Sequence, residues 1–264
     1  MRSRAWLALC ALSIACSGAQ VALPADGPQT AEEVLARALA RPLPQTAQGR
    51  ARLDAYVAGE RRSVDLIVIV ALPQSVHMQA VSPTLDMLAV MATDGKRFVS
   101  FERGGDKCLI GDACPTNMAR LVPIALSPQQ LAPALLGRPP LLDVPTRQLT
   151  WDRSRALYVV TLGADDAPHQ QIFVSPQDFR IVGTVLFDHA ERVASIEYIA
   201  GEHRPDNLHY KAKDVDVTVT MRQIDLDLPA DAEAFALTCP DGMLRQEMPC
   251  VDEAVQLESR RKIP

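Results

Sequence analysis

The sequence predicts a mainly β fold of α+β type, in which a curled antiparallel sheet wraps around a central helical plug. Three observations predict it. Short β-branched and apolar segments recur between turn signals along most of the chain. The 264 residues include 20 Pro, which favours short elements over long helices. Helical patterning is confined to an N-terminal segment and one central stretch, so the strands must curl to bury their second face. Hydrophobic residues make up 48% of the chain and charged residues 22%, enough for a sizeable core. The net charge is −5 and no basic block is interleaved with aromatics, which argues against a nucleic-acid partner.

The first residues read as a processed segment. Arg2 and Arg4 precede Ala5–Ala15, an uncharged apolar run of eleven. At about 1.5 Å per residue that run spans under about 20 Å, too short for a hydrocarbon core of roughly 30 Å. A basic start and a short apolar run are the layout of a secretory signal, here residues 1–15. Residues 16–29 are small, polar and Pro-containing and read as a flexible tether. Thr30-Ala31-Glu32-Glu33 is a capping box that opens a helix to about Arg41, ended by Pro42 and Pro44.

Strands are expected at 49–57, 62–72, 75–81, 86–92 and 97–101. Asp94-Gly95 between two apolar runs signals a hairpin turn whose two central residues take positive φ. From Pro115 the period changes. Asn117, Met118, Leu121, Val122 and Ile124 suit a short helix, and Ser127-Pro128 caps a second, stopped by Gly137. Strands resume at 148–151, 157–162, 170–174, 181–187 and 193–200, and the last runs through Val215, Val217, Val219 and Met221 in strict alternation. Residues 30–250 thus read as one domain and 251–264 as a polar tail.

No catalytic signature appears. His77, His169, His189, His203 and His209 are scattered, and neither H-E-x-x-H nor G-x-S-x-G occurs. Asp165-Asp166 before Pro168 reads as a solvated turn. Neither a cofactor nor a metal is expected, and no enzymatic activity.

Leu12-Ser13-Ile14-Ala15-Cys16 resembles a bacterial lipobox, in which a small residue precedes the acylated Cys. The resemblance implies that Cys16 is the lipid attachment site and the first mature residue. Ser17 in place of Asp then implies the outer membrane, with the protein facing the periplasm. With Cys10 removed and Cys16 acylated, Cys108, Cys114, Cys239 and Cys250 remain, and an even set in an exported chain reads as disulfides. Four Cys allow three pairings. The local one, Cys108–Cys114 with Cys239–Cys250, closes the shortest loops and is the expected pairing. A zinc site is the rival, although no C-x-x-C is present.

The order of elements resembles the LolA/LolB-like lipoprotein carriers and receptors. Three stretches carry the likeness: 88–101 (LAVMATDGKRFVSF), 118–142 (MARLVPIALSPQQLAPALLGRPPLL) and 224–238 (IDLDLPADAEAFALT) followed by Pro240-Asp241-Gly242. The resemblance implies an incomplete β-barrel with a helical lid whose concave face holds acyl chains of lipoproteins. Lining candidates are Val68, Met78, Val90, Met91 and Phe98 on the sheet, with Met118, Leu121 and Leu135 on the lid. Both faces of 66–70 are apolar, so the inward face there stays open. The family's membrane-transfer loop, with its exposed Leu, corresponds to 82–86, which makes Leu85 the candidate, exposed or packed inside. The implied function is binding of acyl chains or lipoprotein lipid moieties. Its partners would be acylated lipoproteins and the membrane reached through the N-terminal anchor. The alternative is a structural or assembly lipoprotein that docks a periplasmic protein.

Overall fold

The computed structural model describes residues 21–24, 26–144, 147–201 and 204–250. Residues 1–15, expected to be a signal segment, Cys16, His203 and the expected tail 251–264 lie outside the described residues. Helix α1 (Ala31–Ala40) precedes strands β1 (Thr46–Val57), β2 (Glu60–Ala71), β3 (Ser75–Val81), β4 (Met87–Thr93), β5 (Arg97–Glu102) and β6 (Lys107–Asp112). Helices α2 (Pro115–Met118) and α3 (Pro128–Leu135) follow. Then come β7 (Arg147–Asp152), β8 (Leu157–Leu162), β9 (His169–Val174), β10 (Ile181–Asp188), β11 (Glu191–Ala200), β12 (Pro205–Ala212), β13 (Val215–Leu226) and β14 (Leu244–Met248).

All fourteen strands form one sheet in the order β14-β6-β5-β4-β3-β2-β1-β13-β12-β11-β10-β9-β8-β7. It is curled, antiparallel except for the β14–β6 pair, and not closed into a barrel. Its long centre, β2-β1-β13, joins the two meanders because β13 returns to pair with β1 along its length. A bulge in β1 between Gly49 and Ala51 bends that centre. At Gly49 an added Cβ would meet Gln223 O at 1.8 Å, so only glycine fits the bend.

Register decides which side chains face inward. Leu66, Val68 and Val70 pair with Ala80, Met78 and Val76 and are at most 2% exposed, so these are the concave positions of β2. Val217, Val219 and Met221 continue that face on β13, opposite Ala55, Leu53 and Ala51. Helix α3 lies on the concave face of β2 and β3. Leu131, Ala132, Ala134 and Leu135 are buried there with Met78, Met91, Phe98 and Met118. Methionine fills irregular gaps between a helix and a curved sheet. At the other end of the sheet α1 covers β7 and β8, burying Val34 and Leu35 against Tyr158, Val160 and Ile172.

Several expectations are corrected. The Glu33 N–H donates to Thr30 Oγ1 at 3.2 Å, but the Glu33 carboxylate pairs with Arg37 at 2.6 Å instead of reaching back, so the box is half formed. Of the two residues at the Asp94-Gly95 turn only Gly95 takes positive φ, +97°. Asp94 instead accepts from the Lys96 and Arg97 N–H groups, at 2.8 and 3.0 Å, and these bonds hold its carboxyl below the usual carboxylate range. Helix α2 ends at Met118 and the chain passes through turns at 119–122 before α3, because Pro123 lacks the N–H that would carry the helix through Ile124. The described part of the tether is docked: the Val21 N–H donates to Arg153 O at 3.1 Å, and Trp151 Nε1 donates to Val21 O at 2.8 Å.

The cysteine pairing is long-range, Cys108–Cys239 and Cys114–Cys250, not the local pairing expected. After β13 the chain crosses the convex face of β3 and β4 through a 3-10 turn (Ala232–Phe235), where His77 Nδ1 donates to Ala234 O at 2.8 Å. That path brings Cys239 to β6, then lays β14 beside β6. The folded-back segment, not loop length, selects the partners.

Closing loops of 131 and 136 residues constrains the unfolded chain strongly. Replacing Cys108 and Cys239 together by Ala should lower stability by about 2–5 kcal/mol. The shift in urea midpoint of the oxidised proteins measures it.

Candidate functional site

The helices cover only part of the concave face. Between them the chain crosses it as two straps, residues 119–126 before α3 and 138–144 after it. Pro123, Pro139 and Pro140 keep these straps out of helical conformation. Against them stand β10, β11, β12 and the start of β13. The space between is a groove of about 910 Å3. Its walls are Ala119, Ala125, Leu126 and Leu141 on the straps, and Leu186, Ala194, Ile196 and Ala212 on the sheet.

The groove is deepest where two inward residues are small. Ala194 pairs with Ala212 across β11 and β12, where Leu208 and Tyr198 fill the corresponding place further along. The second strap is held off the sheet by Gln170, which is 3% exposed. Its Nε2 donates to Pro140 O and Thr184 Oγ1, both at 2.8 Å, and its Oε1 accepts from the Leu142 N–H at 2.8 Å. Thr184 Oγ1 donates in turn to Gln171 O at 2.9 Å. One buried amide thus fixes the strap and satisfies its own polar atoms. Lys213 is the charged residue of the lining.

The groove has an open and a closed end. Leu186, Val193, Ala212, Lys213 and Val215 sit at the sheet end that carries the β10–β11 and β12–β13 turns. The opposite end is clamped. Arg138 donates to Leu39 O and Arg41 O at 3.0 and 2.7 Å, and Arg41 donates to Asp178 O at 2.7 Å. They leave a hollow of about 50 Å3. Burial holds the Arg138 guanidinium below its usual range.

The loop 82–86 between β3 and β4 stands at the open end and presents Leu85, 48% exposed at φ +65°. Exposure here removes the reading of Leu85 as an inward residue. The loop is internally bonded: the Leu85 N–H donates to Ser82 O at 2.9 Å and the Asp86 N–H to Ser82 Oγ at 3.1 Å. Thr84 Oγ1 donates to the Asp86 carboxylate at 2.7 Å and Arg103 pairs with it at 3.3 Å. These groups, the Thr84 hydroxyl first, lower the Asp86 pKa. Leu88, 45% exposed, stands beside it at the start of β4.

The expected lining residues are placed elsewhere. Val68, Met78, Met91, Phe98, Met118 and Leu135 are at most 2% exposed and pack on one another beneath α3, with Leu121 partly buried against them. Large side chains fill their space, so this region is core and not cavity. Val90 pairs with Gln79 and Phe101 on the convex face, opposite to Met91. None of the eight borders the groove. The signal that could have found it is a single small residue at one inward position of each strand, Ala194 on β11 and Ala212 on β12, which face each other.

The histidines have local partners: His169 Nδ1 donates to Ala167 O at 3.0 Å, and His209 Nε2 lies 2.7 Å from Asp216 Oδ1. Among the described residues no helix is long and apolar enough to cross a membrane.

No known protein-family model and no curated protein matches the sequence. Solved structures do match. A LolA superfamily protein from Nitrosomonas europaea is 14% identical, with a TM-score of 0.51 over 79% of this chain and 98% of that one. A DUF1329 family protein from Desulfovibrio piger is 8% identical, with a TM-score of 0.55 over 78% and 95%. A domain described as an outer membrane lipoprotein-sorting protein, from Vibrio parahaemolyticus, is 4% identical, with a TM-score of 0.50 over 78% and 95%. The fold resembles that of the LolA/LolB-like proteins.

Replacing Gln170 by Leu leaves the strap N–H and carbonyl unpaired and should cost about 2–4 kcal/mol. Chemical denaturation measures the loss, and Gln170→Glu should recover less than half of it.

Proposed function

We propose that the protein binds the acyl chains of lipids or acylated lipoproteins in the groove between the straps and β10–β13, without catalysing a reaction. The single observation that carries this reading is the groove itself: about 910 Å3, walled mainly by apolar side chains, beside a concave face that is packed beneath α3. A volume of this size lies in the range of small-molecule sites. Burying roughly 300 Å2 of acyl surface supplies about 7 kcal/mol before association costs. The lipoprotein-sorting description of the Vibrio parahaemolyticus structure supports the same class of cargo.

Leu85 extends the reading to transfer. A leucine held at positive φ costs roughly 1–3 kcal/mol, and such strain clusters at functional positions. The surrounding bonds keep the loop in this shape while the side chain points to solvent, at the same end as the groove's opening. We infer that Leu85 contacts the bilayer when cargo passes. The lipobox-like Cys16 supports a lipid-anchored protein of the cell envelope, at the outer membrane and facing the periplasm. The second reading, docking of a periplasmic protein, would use the same envelope position.

Ala194→Trp should fill the groove and weaken binding of a dansyl-labelled fatty acid at least tenfold, with the far-UV spectrum and thermal midpoint retained. Equal affinity of the two proteins would place the ligand elsewhere. Leu85→Asp should leave this affinity unchanged but slow release of the bound fatty acid to phospholipid vesicles, read by stopped-flow fluorescence. Unchanged transfer would remove Leu85 from the mechanism.

A further inference from the structure

We propose that two copies of this chain pair through β14, edge to edge and antiparallel about Gln246, so that the sheet of one copy runs on into the other. The pairing does not depend on what the groove holds.

The backbone supplies the template. β14 ends the strand order, and among the described residues no strand lies beyond it. Adding β14 to β6 therefore moves the edge and leaves it open. Successive residues of a strand in a parallel pair turn their N–H and C=O groups alternately toward and away from the neighbour. The Leu244 N–H donates to Asp106 O at 2.8 Å, and the register runs unbroken from Leu244↔Lys107 to Met248↔Gly111. Leu244, Gln246 and Met248 thus serve β6, and Asn117 Nδ2 donates to both Asp112 O and Met248 O on that side. Arg245 and Glu247 turn their N–H and C=O groups outward, as a further strand requires.

The side chains select the partner. Leu-Arg-Gln-Glu-Met is complementary to itself when a second copy runs in reverse. Centred on Gln246, the pair sets Arg245 against Glu247 twice, Leu244 against Met248 twice, and Gln246 against Gln246. The outward-turned residues then fall opposite each other, so each Arg245–Glu247 pair exchanges both backbone bonds. A shift of two residues, the next register that keeps those bonds, sets Arg245 on Arg245 or Glu247 on Glu247, which is repulsive. Backbone and charge therefore select one register. The groups are free to meet: Leu244, Arg245 and Glu247 are exposed, Leu244 at 64%. Arg245 has no ion-pair partner among the described residues. Glu247 meets Arg97 at 3.1 Å, and Arg97 also meets Asp112 at 3.2 Å, so in the pair Glu247 sits between Arg97 and the Arg245 of the other copy. A two-fold contact uses β14 of both copies and closes there.

Strands of this length span about 17 Å, a small contact that fills at high concentration. Sedimentation velocity of the oxidised full chain from about 10 µM to about 0.5 mM reads it. The expected result is a dimer that grows with concentration. Arg245→Glu and Glu247→Arg each make both cross-strand pairs repulsive and should weaken it about tenfold or more, with the thermal midpoint retained. Mixing the two variants, one acidic at both positions and the other basic at both, should restore a dimer with one copy of each. Amide exchange reads the register: the Arg245 and Glu247 N–H groups should be slowed at high concentration alone, and that of Gln246 at every concentration. A monomer throughout overturns the proposal. So does a dimer that both variants keep, or one that they lose and the mixture does not restore. Slow exchange at Arg245 and Glu247 in the dilute protein also overturns it, since a segment of the same chain would then cover the edge.

Discussion

An open sheet of fourteen strands has to bury a long concave face, and the described residues supply three short helices for it. Everything distinctive about this protein follows from how that shortage is met. Helix α3 covers the β2–β3 end and α1 the β7–β8 end, each with large side chains that interlock. Over β10–β13 the straps pass, and they leave part of the space beneath them unfilled. The groove is the part of the face that the helices do not reach. Gln170 keeps it from collapsing by bonding the strap to the sheet at a fixed distance.

The sheet's edges are handled by the two ends of the chain. Unpaired strand edges invite association with other chains. At β6 the returning C-terminal segment adds β14, and the two disulfides secure it at Cys108 and Cys114. At β7 the N-terminal residues dock through Val21 onto Trp151 and Arg153. This places the N-terminal approach at the sheet end of the β7–β8 turn, and Leu85 at the opposite end with the groove's opening.

Local patterns in the sequence reached the elements they could specify. β3 and β8 have the predicted bounds, and β13 carries period-2 alternation that no other structure accommodates. Three strands carried no such signal. β6 (KCLIGD) follows Gly104-Gly105 and mixes Cys with Gly, β12 (PDNLHYKA) opens on Pro and is half polar, and β14 (LRQEM) is an edge strand held in place by distant partners. The disulfide pairing was hidden for the same reason, since it depends on where a non-local segment returns. The candidate site shows the sharpest division. Large apolar residues were legible as inward-facing, but inward and large means filled. The cavity lies where inward residues are small, at Ala194 and Ala212, and that contrast needs the strand register to be seen. Leu85 was legible as a position in the β3–β4 loop, while its exposure depends on Ser82, Thr84 and Asp86 closing the loop beneath it.

The central claim is that the packed half and the open half of the concave face divide between α3 and the straps. Photo-cross-linking with a diazirine fatty acid, followed by peptide mapping, addresses it directly. The account predicts label on the strap residues 140–142 and on 186–196 and 210–215, with none on the core beneath α3. Label on Met78, Met91 or Phe98 would contradict it, because those side chains could be reached only if α3 lifted from the sheet.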